Sequence, residues 1–174
     1  KRSSDYKYAT SIITIFLVFL ISFILIFSTQ ISNLILIEIQ LLSFIGINLF
    51  LDKFDKFLIS VLPKSYKRYK ASQNAKEQFY NLGLNRTKTR QGIMFFVSFD
   101  EKYVEIISDT TISSKIEDEY WQDIINEFIS NVKKKELSKG YLKAIDSCSK
   151  ILIKEFPIQE NDKNELPNEV IELR

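Results

Sequence analysis

The sequence has no histidine, and cysteine occurs once, as Cys148. Without histidine the chain lacks the commonest general base, and it cannot form a Ser-His or Cys-His nucleophile pair. It also lacks the Cys and His ligand sets of ordinary zinc sites, and a single cysteine cannot form a disulfide within the chain. These absences exclude several common kinds of enzyme and metal site.

Charge is nearly absent from residues 9–51, where Glu38 is the one charged side chain. Most Lys, Arg, Asp and Glu residues lie instead in residues 52–174. A length of 174 residues suits one domain, but this division of charge is not that of an ordinary soluble globule. The sequence starts with Lys1 rather than Met, so we expect an upstream portion to precede it.

The first apolar run, "ATSIITIFLVFLISFILIFS", occupies residues 9–28. About 20 helical residues, rising about 1.5 Å each, cross the hydrocarbon of a bilayer. A buried helix of a soluble protein is the plain alternative. A secretory signal peptide is another, but "FSTQIS" supplies no cleavage site of small residues. The run therefore predicts a transmembrane helix.

The second apolar run, residues 34–51, contains Glu38 about one helical turn from its start. A carboxylate at that depth can extend to the headgroup region. The alternative interpretation is an intramembrane contact with another chain, because charges inside a membrane are often functional. In both interpretations "FSTQISN" is the tight turn of a two-helix hairpin.

Positive charge flanks both ends of this hairpin, with Lys1, Arg2 and Lys7 before it and many cations after it, whereas the turn has no charge. Positive flanks stay in the cytoplasm. The pattern therefore predicts a multi-pass protein of the cell membrane with its C-terminal domain in the cytoplasm. Residues 1–8 are the N-terminal flank of this hairpin.

Residues 52–82 predict basic amphipathic connector helices, interrupted at Pro63 and capped at Gly83. Their position beside the membrane favours contact with anionic lipid headgroups over nucleic acid. The expected lipid or phosphate contacts, which extend into the following loop, are Lys67, Arg68, Lys70, Arg86, Lys88 and Arg90.

Residues 83–157 predict a small α/β domain, followed by a polar tail at 158–174. Strands at 93–99 and 103–108 should form an antiparallel hairpin. Ser114 and Glu117 match a capping box, and Ser138 matches the N-cap of a last helix in which Cys148 is a core residue. Two strands alone make a marginal sheet, so we expect another strand.

The order of three segments resembles the TPM domain family, namely "NLGLNRTKTRQGIMFFVSFDEKYVEIISD", "IEDEYWQDIINEFISNVKKKELSKGYLKAIDSCSKILIKEFP" and "NDKNELPNEV". The chain is most similar to bacterial members in which a two-helix membrane hairpin interrupts the domain. The resemblance implies a TPM-type α/β sandwich whose first strand precedes Lys1, with the hairpin as an insertion.

The resemblance also implies two functions, because some family members are described as acid phosphatases and some bind calcium. A metal-assisted phosphatase acting on phosphomonoesters would use Asp109 and Asp118 as catalytic carboxylates, with Asp109 and Glu119 as ligands of a divalent metal such as calcium. The structural alternative is that Asp109 is a turn residue and that the other two acids complement a helix dipole.

The chain departs from the family pattern "GDRGI", since "SDTTI" keeps Asp109 and Ile112 but has neither the glycines nor the arginine. Glycines at such a turn let the backbone approach a ligand closely, so their loss weakens an inherited site. The favoured interpretation is therefore an interaction or regulatory module for another membrane protein, with the phosphatase as the alternative.

Overall fold

The computed structural model describes residues 5–28, 32–157, 165 and 170–172. This part of the chain is mostly helical and contains a two-stranded antiparallel sheet. The elements in chain order are α1 (Lys7–Ser28), α2 (Asn33–Lys53), α3 (Asp55–Val61), α4 (Lys64–Asn81), a 3-10 turn (Leu84–Arg86), β1 (Ile93–Ser98), β2 (Tyr103–Ser108), α5 (Thr110–Ser113), α6 (Asp118–Lys133) and α7 (Leu137–Glu155).

The two apolar helices, α1 and α2, pack side by side and are each long and apolar enough to cross a membrane. Gln40 Nε2 on α2 donates to Ser22 Oγ on α1 at 2.9 Å. Small polar residues also line the packed face of α1, where Thr14 is fully buried and donates to the Thr10 carbonyl. Such side chains let membrane helices approach closely. The helix ends fit the predicted hairpin, while residues 29–31 of its turn lie outside the described part.

The start of α1 is held by a small apolar cluster at the base of the hairpin. Tyr6 and Ala9 pack there against three residues of the α3 region, and all five are buried. The ring of Tyr66 on α4 lies 6.1 Å from that of Tyr6. The buried members from the α3 region are Leu58, Ile59 and Leu62.

The β1–β2 hairpin has helices on both faces. Its register pairs Phe95 with Ile106, and that face packs against α6 and α7, where Phe95 meets the ring of Phe128 at 5.0 Å. The buried residues of this core are Ile112, Ile116, Trp121, Ile124, Phe128 and Ala144. The opposite face packs against α4, where Ser72 Oγ lies 3.4 Å from Glu105 Oε1. The small unit therefore combines a two-stranded sheet with packed helices, and the α/β sandwich with an additional strand remains a prediction.

The predicted capping box at Ser114 and Glu117 is wrong. Ser114 instead ends the short helix α5, and its hydroxyl donates to the Thr111 carbonyl. Helix α6 begins at Asp118 after Glu117. The prediction is wrong because Asp109 caps the start of α5, further upstream. Ser114 therefore lies at the end of α5 rather than at the start of α6.

The predicted N-cap at Ser138 is also wrong, because Ser138 lies inside the first turn of α7. The chain reverses tightly after α6, with Lys135 at φ 63°. The backbone N–H of Glu136 returns to the Asn131 carbonyl at 3.0 Å, which allows α7 to begin at once. The predicted cap at Gly83 is confirmed by its φ of 69°.

Candidate functional site

Asp109 is the best-defined of the predicted site residues, and its side chain is only 4% exposed. Oδ1 accepts from the backbone N–H of Thr110 at 2.7 Å, which caps α5. Arg90 Nε lies 3.0 Å from Oδ2. Oδ2 receives no aligned hydrogen bond from the described residues, so this contact is an ion pair rather than a directed hydrogen bond. Asp109 is therefore a buried, paired helix cap.

The loop before β1 brings Arg90 to this carboxylate. Arg90 adopts a left-handed φ of 56°. Gly92 follows it, and its carbonyl accepts from the Asp109 N–H at 2.8 Å. A Cβ at Gly92 would lie 1.9 Å from the Leu84 carbonyl oxygen. Only glycine therefore fits at this position of the loop. Together these contacts fix the strand ends around Asp109.

The exposed cations of this loop are Arg86, Lys88 and Arg90. An acid of the tail already contacts the loop, because the backbone N–H of Lys88 lies 3.3 Å from Glu165 Oε2. The Arg90 charge, in contrast, is already directed at Asp109.

The other two predicted acids, Asp118 and Glu119, are exposed in the first turn of α6. They stand where acids complement the helix dipole. Within the described ranges, no group of three or more Cys, Asp and Glu side chains could hold a metal ion. The described geometry therefore adds no support for the phosphatase beyond Asp109 itself.

The cations of α4 differ in their surroundings. Lys67 Nζ donates to the Ile59 carbonyl at 2.8 Å and so joins α4 to the end of α3. Arg68 is exposed, and Lys70 is half-buried. Glu38, the acid of the second apolar run, is exposed on α2.

A buried polar contact that the sequence did not indicate joins α1 to the β-hairpin. Tyr6 is 1% exposed, and its hydroxyl donates to Glu101 Oε1 at 3.0 Å. The hydroxyl of Ser98 donates to the other oxygen of the Glu101 carboxylate. Tyr6 and Glu101 are 95 positions apart in the sequence, so no local pattern reveals their contact. It links the base of the apolar hairpin to the turn between β1 and β2.

Burial raises the pKa of three groups in the small domain, Cys148, Tyr103 and Tyr141. Burial raises the pKa of the Cys148 thiol to about 11. Burial also raises the pKa of Tyr103, whose hydroxyl donates to Glu105 Oε2 at 3.0 Å. A raised pKa keeps a thiol protonated and unreactive. Cys148 is thus a side chain packed against the α6–α7 core, as the sequence predicted.

Comparison with known proteins agrees with this fold. The TPM domain model matches residues 56–151, more than half of the chain. The NMR structure of the BA42 protein from the psychrophilic bacterium Bizionia argentinensis is similar, with 28% identity and a TM-score of 0.52. The likeness covers 56% of this chain and 68% of BA42. No curated protein sequence matches the chain. The predicted resemblance is confirmed, and the chain belongs to the TPM domain family.

Proposed function

We propose that this TPM-domain protein is anchored in a membrane by α1 and α2, which cross the bilayer as a hairpin. The exposed apolar surface of the two helices carries this proposal. Only 17% of the apolar stretch of α1 and 6% of that of α2 is buried. A core helix of a soluble protein would be mostly buried, whereas a bilayer supplies the cover that these side chains need.

The proposed orientation places both ends of the hairpin and the TPM domain in the cytoplasm. The cations of residues 1–8 and 52–90 support this orientation, since positive flanks are retained on that side. The Tyr6 contact with Glu101 supports a domain that lies directly at the membrane rather than on a long tether. The hairpin thereby sets the distance of the domain from the membrane and its orientation relative to the membrane.

The proposed role of the domain is to bind or regulate another membrane protein. The state of Asp109 supports a binding role, because its carboxylate is already used as a cap and an ion-pair partner. A catalytic carboxylate needs access to its substrate. A domain held at the membrane surface can instead meet the cytoplasmic parts of neighbouring proteins.

The test of this role is purification of the full chain in a mild detergent after crosslinking in intact cells. We expect a stoichiometric membrane-protein partner, and we expect that partner to be lost when the small domain is deleted. Recovery of the chain alone, with no crosslinked partner at any crosslinker concentration, would contradict the proposed role.

The alternative function is a metal-assisted acid phosphatase, which membership of the TPM family suggests. Hydrolysis of a chromogenic phosphate ester by the purified chain, with calcium or another divalent metal, would support it. The activity should then disappear in Asp109→Ala and persist in Asp118→Ala if Asp109 is the catalytic group. Absence of turnover under every metal condition favours the binding module.

A further inference from the structure

The face of α3 that points away from the apolar cluster carries exposed aromatic side chains. Phe54 and Phe57 are 47% and 54% exposed, and Val61 is also exposed. Leu58 and Ile59 of the same helix are buried. The helix thus has both buried and exposed apolar side chains, and the described residues leave the exposed ones without full cover.

This exposed face continues the apolar surface of α2. The ring of Phe50, near the end of α2, lies 4.5 Å from the Phe54 ring and 6.4 Å from the Phe57 ring. The three rings form one aromatic strip that turns from α2 onto α3. Because the strip is continuous, whatever covers the end of α2 also meets α3.

Cations follow the strip in the sequence, at the start of α4. Lys64 and Arg68 are both exposed and stand four residues apart, so they share one side of the helix. Between them Lys67 donates to the Ile59 carbonyl, which fixes α4 relative to α3. The exposed ring of Tyr69 follows. Aromatic rings beside cations are typical of a segment at a membrane interface.

The first turn of α4 lies close to the start of α1. The ring of Tyr66 on α4 is 6.1 Å from the ring of Tyr6, which directly precedes α1. If α1 enters the bilayer at its first turn, Lys64 and Arg68 stand at the depth of the phosphate groups. Cations near an anionic membrane surface contribute about 1 kcal/mol each.

We infer that α3 and the start of α4 form an interfacial binding surface for anionic phospholipids. Phe54, Phe57 and Val61 enter the acyl boundary, while Lys64 and Arg68 bind lipid phosphates. The inference rests on the proposed membrane hairpin and adds a lipid preference to it. Nucleic acid would also meet the cations, but it would leave the exposed aromatic strip without cover.

The test uses the full chain reconstituted in mixed phosphatidylcholine and phosphatidylglycerol vesicles, then extracted in mild detergent for native mass spectrometry. We expect retained lipid to be enriched in phosphatidylglycerol. The double variant Lys64→Gln/Arg68→Gln should lower that enrichment by about fivefold for each cation removed. A matched double variant on α6, Lys133→Gln/Lys134→Gln, removes the same charge and should leave the enrichment unchanged.

Two further arms separate this inference from the proposed function. Extraction of the vesicles at alkaline pH tests the hairpin, and release of the chain by carbonate would overturn both proposals. A retained chain with no enrichment, or with equal losses in the two double variants, would overturn only the lipid surface. Binding of a single-stranded oligonucleotide that depends on Lys64 and Arg68, without lipid enrichment, would overturn it in favour of nucleic acid.

Discussion

Asp109, the predicted catalytic carboxylate, also serves the fold of this chain. Its substitution Asp109→Ala removes the acceptor for the Thr110 N–H and the partner of Arg90. We expect the unfolding free energy to fall by about 1–3 kcal/mol, chiefly from the lost cap and buried hydrogen bond. Because Arg90 is half-exposed, solvent screens its ion pair with Asp109, and loss of that ion pair adds little to the change in unfolding free energy.

The measurement for Asp109→Ala is urea unfolding of the full chain in detergent, followed by the fluorescence of Trp121, the one tryptophan. The matched control is Asp118→Ala, which removes an exposed first-turn acid and should cost about 0.5 kcal/mol. Equal destabilisation by the two variants would contradict the role of Asp109 as a buried cap.

Gly92 is a second residue on which the site depends. Gly92→Ala would place a Cβ 1.9 Å from the Leu84 carbonyl oxygen, so two backbone segments must move apart. We expect a loss of about 3 kcal/mol or more, or failure to fold. Gly46→Ala is the control, because nothing lies within 4 Å of that position. Thermal unfolding of both variants compares them, and an unchanged Gly92→Ala midpoint would argue against the close passage.

The thiol of Cys148 gives a prediction on pH. Burial raises its pKa from 9.0 to about 11, so between these values the folded chain holds a proton that the unfolded chain has lost. The unfolding free energy should therefore fall as pH rises from about 9 to about 11. At pH 8 iodoacetamide should label the folded chain about a hundredfold more slowly than the chain in urea. Similar rates in both states would show an accessible, ordinary thiol.

Among the helices and strands, local sequence patterns predicted the elements whose formation depends on neighbouring residues. The apolar runs gave the two long helices, and the alternating β-branched and aromatic residues around "DEK" gave the strands. Strand β1 ends at Ser98, one residue earlier than predicted. The buried apolar stripe of α4 falls on Ala71, Ala75 and Phe79.

The capping box failed where distant residues decide the local structure. The cap that starts α5 depends on Asp109, which is held by the Gly92 carbonyl and by Arg90 from a loop before β1. Nothing within "TTISSKIE" reveals these contacts. The site likewise depends on contacts between residues that are distant in the sequence. The sequence therefore identified Asp109 as a candidate but did not reveal that Arg90 is its ion-pair partner.

The contact between α1 and the β-hairpin belongs to the same scale, and it predicts an effect of one hydroxyl. Tyr6→Phe removes the donor to the buried carboxylate of Glu101 and should lower the unfolding free energy by about 1–3 kcal/mol. Tyr8→Phe is the control, since Tyr8 is 81% exposed and should change nothing measurable. Limited proteolysis of full chain in detergent should cut Tyr6→Phe faster near residue 100, and equal rates would contradict the docking.

For the whole molecule, the apolar hairpin and the α/β unit meet at one small cluster around Tyr6. Its members come from both sides of the hairpin, so in the proposed membrane arrangement both ends of the hairpin reach the same side. The charge pattern favours the cytoplasm as that side. The proposed role of the domain and the proposed lipid surface both depend on this topology.

The most direct measurement of that topology is cysteine accessibility in intact cells, with Cys148→Ser as the background. Gln30→Cys marks the turn of the hairpin, and Glu172→Cys marks the C-terminal region. We predict that an impermeant maleimide labels Gln30→Cys in intact cells and labels Glu172→Cys only after the membrane is opened. Labelling of both positions from the same side, or the reverse pattern, would contradict the account.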